Sequence, residues 1–160
     1  MHVQDRVSIT LTITSGSASP EEISRLVGTP FDDAHRVGER KGASELKWEE
    51  NVWRLVEQAE APHPDQLSGD LLARCWKSFE ARIGPFTQEI RALATKTNLK
   101  LLEIGIFVLS EKDSVPPFSL DREAVELIAK LVASLDVDIM FYASENDGEQ
   151  AESSAVRLNP

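Results

Sequence analysis

Cysteine is nearly absent from this 160-residue sequence, in which Cys75 is the only one. A single thiol can form neither an internal disulfide nor a zinc site built from several cysteines, which fits a reducing compartment. No apolar run reaches the roughly 20 residues that a membrane helix needs. The first six residues also lack the apolar segment of a secretory signal. We therefore expect a cytoplasmic protein that does not enter a membrane.

Positive charge is also scarce. Lysine and arginine total 17 against 27 aspartates and glutamates, which gives a formal net charge of -10. Such a surface repels phosphate backbones, and the chain has no long basic stripe to compensate, so nucleic acid is excluded as the expected ligand. The same charge favours basic partners, although solubility alone explains many acidic surfaces.

The sequence contains none of the common catalytic signatures. GxSxG, HExxH, CxxC and Walker-type patterns do not occur. We therefore predict no catalytic residue, no metal ligand and no cofactor. An enzyme that uses Asp33 and His35 is kept only as a third hypothesis, because this pair is short of the donors that a metal or acid-base centre requires.

The composition is that of one globular domain. Hydrophobic residues make up 41% of the chain and charged residues 28%, a balance typical of folded proteins of this size. We expect a single α+β domain over residues 1–142. Residues 143–160 are acidic and contain few apolar side chains that a core could bury. This composition predicts a disordered C-terminal tail.

Apolar residues alternate with polar ones over residues 7–13, which predicts a strand with one buried face. A short helix is predicted next, because Ser19 supplies an N-cap, Pro20 a proline at the first helical position and Glu22 a capping-box glutamate. Residues 31–45 have the charge and glycine content of a loop. Residues 46–56 indicate a hairpin that turns near Asn51, followed by a connector over residues 57–65.

Apolar residues at helical spacing continue from Leu67 to Ile83 and again after Pro85, which predicts two packed helices. The stretch from Leu99 to Tyr142 then reads as strand, helix, strand. Its first strand is apolar on both faces, and we expect that strand to be central in the sheet.

Strand, helix, strand thus occurs twice, with the helical pair between the two occurrences. This order predicts an α+β fold with a mainly antiparallel sheet built from two strand-helix-strand halves, close to a ferredoxin-like sandwich with a helical pair inserted between the halves.

Several segments together resemble a known family. They are residues 51–55 (NVWRL), the helical pair with its central proline, residues 117–120 (PFSL) and residues 135–139 (LDVDI). In this combination the chain resembles the bacterial family catalogued as domain of unknown function 4279, and the resemblance extends up to Tyr142. The resemblance implies an α+β domain from a bacterium, and it brings no established activity or catalytic residues. Some small families of this kind resemble immunity or partner-binding proteins.

The loop before the tryptophan strand provides the candidate binding site. Glycines expose backbone amides and basic side chains add donors, so the loop is able to cradle an anion. The predicted ligand-binding residues are Arg36, Gly38, Arg40, Lys41 and Trp48. The alternative is a solvated loop, because the glycine spacing of a nucleotide loop is missing. Trp53 is the tryptophan that we assign to the core.

Three further groups have structural explanations. Asp32, Asp33 and His35 have generic spacing, and His63 is the other histidine that a metal site could recruit. Cys75 lies on the apolar stripe of its helix and reads as an inert core thiol. Asp138 is expected to form an ion pair with Arg54 or Lys100.

The leading functional hypothesis is a non-enzymatic protein that binds a basic protein partner, of which an immunity-type inhibitor of a toxin is one form. The second is a module that binds a small anion through the 36–48 loop. A homodimer is compatible with an open sheet edge, and the sequence does not decide the oligomeric state.

Overall fold

The structure is a computed structural model, and it describes residues 5–61, 68–96, 99–111 and 119–142. Its elements in chain order are strand β1 (Arg6–Ser15), helix α1 (Pro20–Val27), strands β2 (Asp33–His35) and β3 (Asn51–Glu60), helix α2 (Ser68–Ile83), a 3-10 turn (Gly84–Phe86), helix α3 (Thr87–Lys96), strand β4 (Leu99–Glu111), helix α4 (Arg122–Leu131) and strand β5 (Ser134–Tyr142).

The alternation predicted for the first strand is confirmed. Val7, Ile9, Leu11 and Ile13 are each 0% exposed, and the residues between them face the other way. Because successive strand residues point to opposite faces, this pattern gives β1 one fully buried face and one polar face.

The five strands form one mixed sheet in the order β2-β3-β1-β4-β5. All neighbouring pairs are antiparallel except β4 and β5, which are parallel. β4 lies inside the sheet between β1 and β5, as expected of a central strand, although β1 occupies the exact middle. The α+β class, the mostly antiparallel sheet and the helical pair between β3 and β4 agree with the prediction. The ferredoxin-like arrangement is not confirmed. β4 and β5 are adjacent and parallel, and the chain between them includes α4.

The first helix begins at its predicted cap. The Ser19 hydroxyl accepts a hydrogen bond from the Glu22 amide at 3.2 Å, and the Glu22 carboxylate accepts one from the Ser19 amide at 2.8 Å. Gly28, with φ of 89°, ends the helix in the left-handed region that glycine adopts readily. The predicted helical pair is also present, as α2 and α3 joined by the 3-10 turn around Pro85.

All four helices contribute to a core on one face of the sheet, which we call the helix face. Trp53 is 0% exposed there, as predicted, and its indole Nε1 donates a hydrogen bond of 2.9 Å to the Ser24 hydroxyl of α1. Cys75 of α2 is 2% exposed, which confirms its position in the core.

The predicted hairpin over residues 46–56 is wrong. Residues 46–48 form no strand, and their ladder is limited to an isolated bridge between Arg40 and Lys47. β3 is instead one ten-residue strand that continues to Glu60, into the predicted connector. A short strand, β2, occupies part of the predicted loop and pairs with β3 through the register Asp33↔Arg54 to His35↔Val52.

Among the described helices, none is long and apolar enough to cross a membrane. The predicted acidic tail, residues 143–160, lies outside the described residues, and so does His63. Both interpretations stay predictions.

Candidate functional site

The second face of the sheet carries the polar side chains of β1, and we call it the open face. It carries Ser8, Thr10 and Thr12 of β1 together with the residues in register with them on the other strands. The described helices pack on the helix face, so within the described part of the chain no helix covers the open face. Its two sides, around β2 and β3 and around β4 and β5, differ in charge.

On the β2–β3 side, charged groups are paired. The Arg54 guanidinium lies 2.9 Å from the Asp33 carboxylate, and His35 Nε2 lies 3.5 Å from the same oxygen. The His35 ring stacks on Trp48 with 4.3 Å between centroids and 9° between planes. Lys41 Nζ is 4.7 Å from the Trp48 centroid, within the distance of a cation-π contact. Trp48 is therefore a half-buried part of a closed cluster.

The predicted anion-binding loop uses most of its polar groups internally. Arg36 pairs with the carboxylates of Glu21 and Glu39. The Gly38 amide donates to the Trp48 carbonyl at 2.8 Å, with Gly38 in the left-handed region at φ of 85°.

The next two basic residues of the loop differ from each other. Arg40 lies 3.5 Å from Glu45, and both side chains are mostly exposed. The Lys41 amide donates to the Leu46 carbonyl at 2.8 Å, whereas no carboxylate pairs with the Lys41 ammonium in the described ranges. The loop thus brings Lys41 and Trp48 together and leaves few backbone amides to hold an anion. Its binding role stays a prediction.

On the β4–β5 side, three carboxylates share the open face without a cation. Glu103 of β4 is in register with Ser134, and Asp136 and Asp138 of β5 are in register with Gly105 and Phe107. We call Glu103, Asp136 and Asp138 the acidic row. Within residues 5–61, 68–96, 99–111 and 119–142, no lysine or arginine forms an ion pair with any of the three.

The environment of Glu103 reflects this shortage of positive charge. Desolvation raises the pKa of Glu103, and the neighbouring carboxylates of Asp136 and Asp138 raise it further, against a hydrogen bond with Ser134 that lowers it. Like charges close together disfavour ionisation of each other. A cation that entered the row would relieve this repulsion.

Gly105 makes a shallow notch in the middle of the row. A Cβ built at Gly105 would find the Thr10 carbonyl oxygen at 4.0 Å as its nearest neighbour, so the space above the backbone is open. Along β4, Glu103 and Phe107 border this space, and Asp136 borders it on β5.

Of the three candidates Asp32, Asp33 and His35, the fold brings Asp33 and His35 together and separates Asp32 from them. The Asp32 carboxylate accepts hydrogen bonds from Arg82 of α2 at 2.7 Å and from the Val56 amide at 2.7 Å, away from Asp33 and His35. Burial raises the pKa of Asp32, but these hydrogen bonds lower it overall. In the described part of the chain, no group of three or more His, Cys, Asp or Glu side chains could hold a metal ion.

The single thiol is equally unsuited to chemistry. Burial raises the pKa of Cys75 to about 11, with Glu57 as a smaller cause. A thiol with this pKa is almost fully protonated at neutral pH and is therefore a poor nucleophile.

Sequence reasoning missed the acidic row. It assigned Asp138 to a pair with Arg54 or Lys100, which is wrong: Arg54 pairs with Asp33, and Lys100 lies 2.7 Å from Glu50. The alternation of acidic and apolar residues in β5 was the available signal, but the alignment of β4 with β5 was needed to bring Glu103 beside the two aspartates.

Two adjoining clefts beside α1, with volumes of about 310 and 390 Å³, share the half-exposed Leu26. Neither is lined by residues of the 36–48 loop or of the acidic row. The linings are Leu26, Gln88, Glu89, Ala92 and Leu93 for the first, and Ser17, Ala18, Glu22, Arg25 and Leu26 for the second.

Comparison with known proteins identifies a family. The family model described as "Domain of unknown function (DUF4279)" matches residues 5–142, which is most of the chain and includes every described strand and helix. No curated protein and no solved structure matches the chain.

Proposed function

The chain belongs to the DUF4279 family, whose description names no activity, and we propose from the geometry of the sheet that it binds a basic protein partner without catalysing a reaction. The observation that carries this proposal is the acidic row on the open face. Its three carboxylates are grouped on one side of the sheet, and no cation of the described chain pairs with them.

The contrast with the other acidic side chains around the sheet supports the proposal. Asp32, Asp33 and Glu50 each lie within 3 Å of a cationic side chain. Leaving like charges adjacent and unpaired costs folding free energy, so such an arrangement is more readily explained by a partner than by stability. A net charge of -10 would also speed the approach of a basic protein by electrostatic steering.

The dimensions of the open face suit a macromolecule. The four long strands β1, β3, β4 and β5 are spaced about 4.8 Å apart and are about 30 Å long, which gives an area on the order of 600 Å². One side of a standard protein-protein interface buries about 800 Å². The face is broad and shallow, which is the shape of a protein-docking surface more than of a small-ligand pocket.

The finer form of the proposal is an immunity-type inhibitor, in which the basic partner is a toxin. A protein of this type protects its host by covering the toxin surface, and it needs charge and shape complementarity but no catalytic group. The family description does not include this role, and it rests on analogy with small partner-binding families.

Co-purification with neighbouring gene products tests the proposal. Each adjacent gene is expressed alone to score toxicity and then together with the tagged full-length chain. We expect a basic product to be retained in about 50 mM salt and released in about 500 mM salt, since screening weakens ion pairs.

The control for this experiment is a matched pair of variants. Glu103→Gln, Asp136→Asn and Asp138→Asn combined should abolish retention. Glu45→Gln, Glu89→Gln and Glu123→Gln combined change the net charge equally and should not. Retention by the first variant as strong as by the native chain would contradict the proposal.

A second candidate function is supported by Lys41, whose ammonium sits beside the Trp48 ring without a carboxylate partner among the described residues. An aromatic anion could stack there and pair with Lys41. A thermal-shift screen of phosphates and aromatic carboxylates tests this function. A hit should be lost in the combined variant Arg40→Ala and Lys41→Ala, and a flat screen would count against it.

A further inference from the structure

The outer edge of β5 is the feature that this inference starts from. β5 has nine residues and is the last strand of the sheet order, and within the described ranges no strand pairs with its outer side. Alternate residues of a strand direct their N–H and C=O groups to the same side, so about half of these groups in β5 point away from β4. Such an edge is a template for an additional strand.

The side chains of β5 on the helix face are incompletely buried. In one row across the sheet, Ile9 of β1 is 0% exposed and Ile106 of β4 is 1% exposed, whereas Val137 in register with them is only partly buried. Leu135, Ile139 and Phe141 are also partly buried. The apolar core therefore stops at β5 before it is fully covered.

The side chains of β5 on the open face are acidic or exposed. Asp136 and Asp138 belong to the acidic row, and Met140 beyond them is 49% exposed. The edge thus presents two different rows, an apolar one toward the helix face and an acidic one toward the open face. A strand that fits both rows must alternate apolar and basic residues.

We propose that the partner adds a strand to the outer edge of β5, with apolar side chains extending the core beyond Val137 and lysine or arginine side chains facing Asp136 and Asp138. This inference rests on the proposed function and specifies how that function is carried out. Main-chain hydrogen bonds supply affinity in strand addition, and the alternate side chains supply specificity.

Charge excludes the two occupants that the chain itself offers. An antiparallel pairing of β5 with β5 of a second copy places Asp136 and Asp138 of both copies on one face, where like charges on neighbouring strands are destabilising. The segment 143–160 carries four acidic residues (Glu145, Asp147, Glu149 and Glu152) against one basic residue, Arg157, so its net negative charge is repelled by Asp136 and Asp138. A basic strand from another protein meets none.

N-methylated peptides test the inference with the full-length chain. The probe is a fluorescein-labelled eight-residue peptide in which lysine alternates with valine or threonine, titrated by fluorescence anisotropy. One N-methylated version carries the methyl groups on the lysine amides, and the other carries them on the remaining amides. Because alternate N–H groups face opposite edges of a strand, each version blocks one edge only.

We expect the unmodified peptide to bind and exactly one of the two N-methylated versions to lose at least about tenfold in affinity, since several main-chain hydrogen bonds are removed. Equal binding by both versions would overturn strand addition. A peptide with four lysines followed by the four other residues has the same charge and should bind about tenfold more weakly, because its alternation is lost.

Charge variants separate this inference from the proposed function. Combining Asp136→Asn with Asp138→Asn should weaken the alternating peptide about five- to thirtyfold through the loss of two ion pairs. Combining Glu45→Gln with Glu123→Gln should leave the affinity unchanged. If the aspartate variant binds weakly but N-methylation has no effect, the acidic row binds basic chains without adding a strand. If the aspartate variant binds as the native chain does, the proposed function itself fails at this surface.

Discussion

The two ends of a single row across the open face differ in how their charges are satisfied. The row runs from Asp33 through Arg54, Thr12 and Glu103 to Ser134. At one end, Arg54 pairs with Asp33 at 2.9 Å. At the other end, Glu103 has a serine in register and two aspartates nearby. The first end is built for stability, and the second keeps unpaired charge at the surface.

The burial of apolar side chains on the helix face also differs between the two sides. Trp53 of β3 is 0% exposed and hydrogen-bonded, whereas Val137 of β5 is only partly buried. On the β2–β3 side, Trp53 is thus fully buried and Arg54 is paired with Asp33. The β4–β5 side combines unpaired charge with unfinished apolar burial, and this combination is what a partner-binding surface requires.

The largest expected effect is on the buried side. Trp53→Ala should lower the free energy of unfolding by about 3–5 kcal/mol, because a large buried ring is removed and the Ser24 hydroxyl loses its partner. Val137→Ala should cost only about 1 kcal/mol, since its two methyl groups are partly in water already. Urea denaturation measures both values, and equal losses would remove the difference in burial between the two sides.

Charge removal should have opposite effects on the two sides. Arg54→Met breaks the pair with Asp33 and removes the guanidinium that lies 5.7 Å from the Trp48 centroid, and it should cost about 1 kcal/mol. Asp136→Asn combined with Asp138→Asn relieves repulsion and should leave stability unchanged or raise it by about 0.5 kcal/mol. A clear loss of stability in the aspartate variant would mean that these carboxylates have a structural role.

A lysine introduced beside the acidic row should form an ion pair there, as Arg54 and Asp33 already do on the other side of the sheet. Ser134→Lys places an ammonium in register with Glu103, and opposite charges across neighbouring strands contribute about 0.2–1 kcal/mol. We expect a slightly higher melting temperature and weaker binding of the alternating lysine peptide. A variant that binds the peptide as tightly as the native chain would show that the row does not contact the peptide.

The smallest expected effects concern how the free energy of unfolding depends on pH. Asp32 and Glu103 contribute to this dependence with opposite signs. Folding lowers the pKa of Asp32 below its ordinary 3.8, so its stabilisation is present at neutral pH and is lost as the pH falls through the lowered value. Folding raises the pKa of Glu103 above its ordinary 4.5, so its ionisation opposes folding at neutral pH, and this penalty disappears as the pH falls below 4.5.

Stability curves of two variants separate these contributions. Glu103→Gln should stabilise the protein at neutral pH by about 0.5 kcal/mol or less, and this advantage should shrink on the way to pH 4.5. Asp32→Asn should be destabilised at neutral pH, and its deficit should shrink below pH 3.8. If the stability of a variant differed from that of the native chain by the same amount at every pH, the pKa direction stated for the substituted residue would be contradicted.

Much of the fold could be predicted because its signals are local. The alternation in β1, the capping box of α1 and the proline between α2 and α3 each lie within a few neighbouring residues. The hairpin failed because Leu46 and Trp48 have strand-like chemistry, while the structure uses Trp48 to cover His35. The alternation around Trp53 correctly assigned that side chain to the core, but the strand-like propensity of Trp48 does not show that it stacks on a loop histidine.

The acidic row could not be predicted because it depends on strand register. Glu103 and Asp136 are far apart in the sequence, and only the parallel alignment of β4 with β5 brings them together. A one-residue shift in that alignment would move every β5 side chain to the other face. The 36–48 loop was prominent in sequence because its charges are close together, but most of these charges pair with one another.

Amide hydrogen exchange of the full-length chain, with and without the alternating lysine peptide, compares the two sides directly. If the β4–β5 side is the binding surface, the peptide should slow exchange at alternate residues of β5, from Ser134 to Tyr142, and leave the 36–48 loop unchanged. Protection confined to the segment from Lys41 to Trp48, or absent from β5, would contradict the account.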